Sequence, residues 1–178
     1  EVHDADNSFS GESNDDRSGC AVSNAGDMDG DGLGDIMISA CATDAWRGTT
    51  YVFLGKTIMS TSGDFSLASA DAILTGENGS DIAGFSISAA GDVDGDGQDD
   101  ILIGAPGIWP ISSGYPGKAY LVLGKTLFPS PNTAPVTMSL ASADAIFTGE
   151  GNGEYAGYSV SGAGDVDGDG KDDLLLGA

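Results

Sequence analysis

Apolar residues in this chain come in short runs set between polar, glycine-rich segments. IMIS (36–39), ILIG (101–104) and LLLG (174–177) are three versions of one run. Apolar runs of that length beside glycine-rich turns read as strands buried on both faces. Ahead of each lies an alternating segment, GCAVSNAG, GFSISAAG and GYSVSGAG, starting at Gly19, Gly84 and Gly157, with the period of two that suits a half-buried strand. Two further kinds of run follow: TYVFLG (50–55) with AYLVLG (119–124), and AILTGE (72–77) with AIFTGE (145–150). In order these are strands A (alternating), B, C and D, and the pattern predicts an all-β fold rich in turns.

The runs belong to a repeat. ADAILTGENGSDIAGFSISAAGD (70–92) recurs as ADAIFTGEGNGEYAGYSVSGAGD (143–165), and TTYVFLGKT (49–57) recurs as KAYLVLGKT (118–126). A looser copy, SFSGESNDDRSGCAVSNAGD, fills 8–27. Antiparallel sets of four strands repeated at this spacing make propeller blades rather than a sandwich. The expected division of a single propeller segment, 1–178, is an outer strand of a preceding blade with its loop (1–18), a first blade (19–82), a second (83–155) and the first two strands of a third (156–178). A closed propeller typically needs four to eight blades, so the ring is expected to be incomplete in this chain. Two explanations follow: a segment of a longer propeller, favoured because nothing here replaces the missing strand C, or open edges that pair with other copies by β-augmentation. The start at Glu1 rather than Met suggests a mature or excised product. The long C–D connections, including PSPNTAPVT (129–137), read as surface loops.

Between A and B the chain concentrates charge. GDVDGDGQDDILIGA (91–105) carries five acids from Asp92 to Asp100, and its counterparts are GDMDGDGLGDIMISA (26–40) and GDVDGDGKDDLLLGA (164–178). Carboxylates this close repel and would protonate or spread without a counter-ion. Calcium takes six to eight oxygens, and ligands at alternate loop positions all point inward; glycines at positions 4 and 6 permit the curl. The expected ligands of three structural calcium ions are Asp27, Asp29, Asp31, Asp35 and the carbonyl of Leu33; Asp92, Asp94, Asp96, Asp100 and the carbonyl of Gln98; and Asp165, Asp167, Asp169, Asp173 and the carbonyl of Lys171. Asp99, at position 8, is expected to point outward. A helix-flanked loop of the EF-hand kind needs a carboxylate at position 12, where this chain has Ile38, Ile103 and Leu176.

Charge then narrows the partners. The formal net charge is −22 with 40% hydrophobic residues, which excludes a disordered acidic tail and disfavours nucleic acid or an anionic membrane as partner. Three calcium ions would leave about −16. No apolar stretch approaches the length of a membrane helix. Sites of this kind fill at millimolar calcium, which places the protein outside the cell.

The stretch 84–106, with Gly84-Phe85, the acidic loop and Gly104-Ala105-Pro106, resembles the FG-GAP repeat of integrin α-subunits and related extracellular β-propellers, and the likeness extends over nearly the whole chain. The resemblance implies strand A innermost, calcium in the A–B hairpin, and ligand recognition on the opposite face. The first copy departs from it: Cys20 replaces the aromatic and Cys41 the proline. Partners in an antiparallel hairpin have residue numbers of constant sum, and this pair centres on the acidic loop, so a Cys20–Cys41 disulfide is expected.

The B–C and D–A loops share the face opposite the acidic loops. Trp46, Arg47, Trp109 and Tyr115 on the B–C loops are candidates for binding a protein or glycan, against the alternative that the tryptophans pack between blades. Asn78-Gly79-Ser80 is a glycosylation sequon. His3 has no nucleophile context, and the acids are used as ligands, so no enzyme is expected. The functional expectation is an extracellular calcium-binding adhesion or recognition module, with a filament subunit or a carbohydrate-binding propeller as alternatives.

Overall fold

The computed structural model describes residues 6–60, 62–107, 114–130 and 135–178. Among them the strands run β1 (Asn7–Ser10), β2 (Ser18–Gly26), β3 (Asp35–Ala40), β4 (Thr49–Phe53), β5 (Gly63–Ser66), β6 (Ala72–Thr75), β7 (Ser86–Gly91), β8 (Asp100–Ala105), β9 (Lys118–Val122), β10 (Val136–Ser139), β11 (Ala145–Thr148), β12 (Ser159–Gly164) and β13 (Asp173–Gly177). Strands A to D of the first unit are β2, β3, β4 and β6, paired antiparallel in that order, and those of the second are β7, β8, β9 and β11. The hairpin β12–β13 stands as A and B of a third. The fold is all-β and made of propeller-type blades that do not close into a ring.

Period-two alternation decides which neighbour each side chain meets. In the second blade Ile101, Ile103, Tyr120 and Val122 face the first, joining Met37, Val52 and Leu74 in one core. Leu102 and Leu121 point the other way and meet Val160, Leu174 and Leu176 of the third hairpin. Continuous apolar runs are therefore needed in strands B and C, which have a blade on each side. Strand β8 is buried at every position, whereas β13, with one face uncovered, leaves Leu175 63% exposed.

The C–D connections are not simple surface loops. Each carries a short helix, Gly55–Ser60 or Gly124–Leu127, and then a strand, β5 or β10. Strand β10 leaves its own blade and pairs in parallel with β6 of the blade before it, Val136 opposite Ala72 and Ser139 opposite Thr75. The first blade is thereby a five-stranded sheet. Strand β1 pairs with β5 in the same parallel way, so β1 stands as strand D of a preceding blade. Phe9 of β1 stacks on Phe65 at 5.3 Å and meets Phe53 edge-on at 5.0 Å. The glutamates of TGE (75–77) and SGE (10–12) make a second link: Glu77 accepts from Tyr120 Oη (3.0 Å) and Lys118 Nζ (2.8 Å) of the next blade, and Glu12 accepts from Tyr51 Oη at 2.8 Å.

Cys20 and Cys41 form a disulfide with Cα atoms 5.9 Å apart. The hairpin register is not constant around them. Ser18 faces Ala40 and Val22 faces Ile38, with a shift between, so the bond closes over an irregular stretch rather than between facing partners. In the later copies the corresponding aromatics, Phe85 and Tyr158, pack on each other at 5.1 Å.

Candidate metal centres

Each acidic loop is folded by its own aspartates. At position 1, Asp27 accepts from the amides of Asp31 (3.0 Å) and Gly32 (2.9 Å); Asp92 accepts from those of Gly95, Asp96 and Gly97, and Asp165 from those of Gly168, Asp169 and Gly170, at 2.7–3.0 Å. At position 5, Asp31, Asp96 and Asp169 each accept from the amide two residues on, that of Leu33, Gln98 or Lys171. At position 9, Asp35, Asp100 and Asp173 reach back to the amides of Met28, Val93 and Val166. Glycines 4 and 6 of every loop have φ between 71° and 90°, the left-handed region that favours glycine.

The carboxylates converge. Ligand atoms of Asp27, Asp29 and Asp35, of Asp92, Asp94 and Asp96, and of Asp165, Asp167 and Asp173 lie within 4.8 Å of one another in each trio. Each trio holds three of the four acids expected from its loop; Asp31, Asp100 and Asp169 are not among them. A carboxylate has about four lone-pair sites, so an oxygen that accepts one amide retains capacity for an ion. The donor set is all oxygen and anionic, which fits a hard divalent cation such as calcium.

Asp35 and Asp100 are almost fully buried. Burial pushes each carboxyl up to about 6, against amide hydrogen bonds that lower it, with neighbouring loop carboxylates raising it further. The lysine of each repeated GKT leans in: Lys56 pairs with Asp29, and Lys125 lies 3.1 Å from Asp96. The GKT glycine has its own reason. Its amide donates to position 9, Gly55 to Asp35 (2.8 Å) and Gly124 to Asp100 (2.9 Å), and a Cβ there would collide with backbone carbonyl oxygens of the loops. The threonine hydroxyl bonds Asp71 or Asp144, whose other oxygen takes the amide of Leu54 or Leu123. Sequence reading saw GKT and ADA recur without seeing that they hold the loop from behind.

Position 8 departs from the expectation of an outward side chain. Asp99 does leave its own loop, but it turns into the loop of the preceding blade: its Oδ2 accepts from the Asp27 amide at 2.7 Å, and its amide donates to the Asp27 carbonyl at 2.9 Å. Asp172 repeats both bonds with Asp92, at 2.9 and 3.1 Å. The position-7 side chains reach the same way, Gln98 to the Met28 carbonyl and Lys171 to the Asp94 carbonyl.

On the opposite face, Trp46 ends a helical turn, Thr43–Trp46, in which Asp44, Ala45 and Trp46 have left-handed φ of 44°, 58° and 66°. The half-buried indole carries the Arg17 guanidinium 4.5 Å above its ring, while Arg47 pairs with Asp44 at 3.0 Å. Tyr115 is 38% exposed. Trp109 lies outside the described residues. Asn78 is exposed, with its side-chain amide donating to Asp81 at 3.2 Å.

A family model described as the FG-GAP repeat matches residues 83–122 and 156–178, the A–B–C portion of the second blade and the third hairpin. No curated protein matches the chain.

Proposed function

We propose that this chain, which carries FG-GAP repeats, is a calcium-stabilised segment of an extracellular β-propeller that serves adhesion or recognition. The observation that carries the reading is threefold repetition: a cluster of three carboxylates, always including positions 1 and 3, in a loop closed by the same position-1 amide bond on each A–B hairpin. FG-GAP repeats occur in integrin-α-like extracellular propeller modules, and the Cys20–Cys41 disulfide suits an oxidising compartment. Among the described residues no helix is long and apolar enough to cross a membrane.

Calcium would be held by Asp27, Asp29, Asp31 and Asp35, by Asp92, Asp94, Asp96 and Asp100, and by Asp165, Asp167, Asp169 and Asp173, with the carbonyls of Leu33, Gln98 and Lys171 as further donors. It replaces carboxylate repulsion with coordination and fixes each hairpin end. The role is structural, and the reading assigns no catalytic step to these acids. Recognition of a protein partner falls to the B–C and D–A loops, where Trp46 is held by Arg17 rather than presented as an open stacking plate for a sugar. Calorimetric titration of calcium into chelated protein tests the metal reading: three ions per chain are expected, two after Asp92→Asn with Asp94→Asn, and absence of binding at 1–2 mM calcium rejects it.

A second reading rests on the open ends. Val22, Tyr158 and Leu175 are 69%, 52% and 63% exposed, on surfaces equivalent to those that neighbouring blades cover elsewhere in the chain. Another blade is expected there, from the same or a second polypeptide. Light scattering that shows calcium-dependent assembly of this chain would favour the filament, and a monodisperse monomer would exclude it.

A further inference from the structure

We infer that Asp99 and Asp172 couple neighbouring calcium loops, so that an ion in one loop raises the affinity of the loop in the adjoining blade. The inference rests on the calcium reading and adds to it two residues outside the coordination sets.

The connection is a two-bond clamp made twice. The Asp27 amide and carbonyl are both bound to residue 99, and the Asp92 amide and carbonyl are both bound to residue 172. Each clamp joins position 1 of one loop to the residue that directly precedes position 9 of the next, since Asp99 adjoins Asp100 and Asp172 adjoins Asp173. An ion that fixes Asp100 therefore fixes Asp99, and through it the backbone of Asp27. The first loop then binds with part of its ordering cost already met.

The glycine before each loop gives an independent mark of the clamp. Gly26 and Gly91 have φ of 74° and 75°, and a Cβ on either would run into the carboxylate of Asp99 or Asp172. Gly164 has the same conformation, φ 72°, yet has nothing within contact of its Cβ position. The cradle at Gly26 and Gly91 is thus shaped to admit the side chain of the following blade, and where no such blade is present it stands open. Gly34 replaces the acid at position 8 of the first loop, so that loop receives a clamp and offers none.

Coupling between binding sites is reciprocal and typically spans about 5- to 150-fold. A clamp of two hydrogen bonds, one to a carboxylate, belongs toward the lower end. The test uses the full chain with calcium as the probe, followed by NMR at the amides of Gly32, Gly97 and Gly170, each of which sits on position 1 of its own loop. In the unsubstituted chain the three signals are expected to titrate together with a Hill coefficient above 1. Asp99→Ala should move the Gly32 midpoint to about five- to tenfold higher calcium and leave Gly97 and Gly170 linked; Asp172→Ala should instead separate Gly170 from Gly97. Asp99→Asn keeps an oxygen for the Asp27 amide and should restore linkage. The coupling is overturned if the alanine variants leave the midpoints in place, or if Asp99→Asn behaves as Asp99→Ala, which would make the effect one of charge. If no signal of the unsubstituted chain responds to calcium, the metal reading itself fails and the coupling with it.

Discussion

Glu77 shows how one side chain joins two blades. The Lys118 ammonium, followed by the hydroxyl of buried Tyr120, holds its carboxyl below the ordinary glutamate range. The folded-state value is depressed, so this contribution is present above the unfolded value of about 4.3 and is lost as pH falls through the folded one. Glu77→Ala should cost about 1–3 kcal/mol in urea unfolding at pH 7, and the difference from the unsubstituted chain should shrink below pH 4. Asp35 and Asp100 have the opposite sign. Their folded-state values are raised to about 6, so in chelated protein they favour the fold below the ordinary aspartate value, and that contribution is lost as pH rises through 6. Calcium bound as proposed would hold both carboxylates ionised. Its affinity should weaken as pH is lowered through 6, which titrations at pH 5.5 and 7.5 would show.

At the scale of elements, the A–B hairpin was legible because its information is local. Identical spacing of aspartates and glycines in three copies defined the loop, and the apolar runs after it defined strand B. Cys20 and Cys41 were legible as a pair because the hairpin brings them together despite the irregular register between Ser18 and Val22. Reduction or double Cys→Ala substitution should cost about 3 kcal/mol on the chain-entropy model, measured by urea unfolding with and without reductant. Strands β5 and β10 were not legible. VTMS is four residues long, and its partner is β6, more than sixty residues earlier and in another blade, so nothing in its own unit announces a strand. The partner of Asp99, the Asp27 amide of the preceding blade, was hidden for the same reason. Where alternation is strong the core follows directly: Ile103 is fully buried between blades, and Ile103→Ala should destabilise by about 2–5 kcal/mol.

Across the whole molecule, one blade-to-blade interface is built from recurring parts. These are a parallel strand laid on the preceding D strand, a TGE or SGE glutamate on a tyrosine, an apolar layer, and at the loop end an aspartate clamp. The acidic loops crown that interface, so calcium bound there as proposed would stabilise the stack of blades as well as each turn. With a dissociation constant of about 0.1–1 mM, each site contributes on the order of 0.4–1.4 kcal/mol at about 1 mM calcium. Three such sites amount to about 1–4 kcal/mol, enough to move the midpoint of a domain this size by several degrees. Thermal unfolding at fixed pH, in 1 mM calcium and then in excess chelator, tests this most directly. A midpoint that rises by several degrees with calcium, and rises less in Asp92→Asn with Asp94→Asn, is the predicted result. Identical unfolding curves in calcium and chelator would contradict the account.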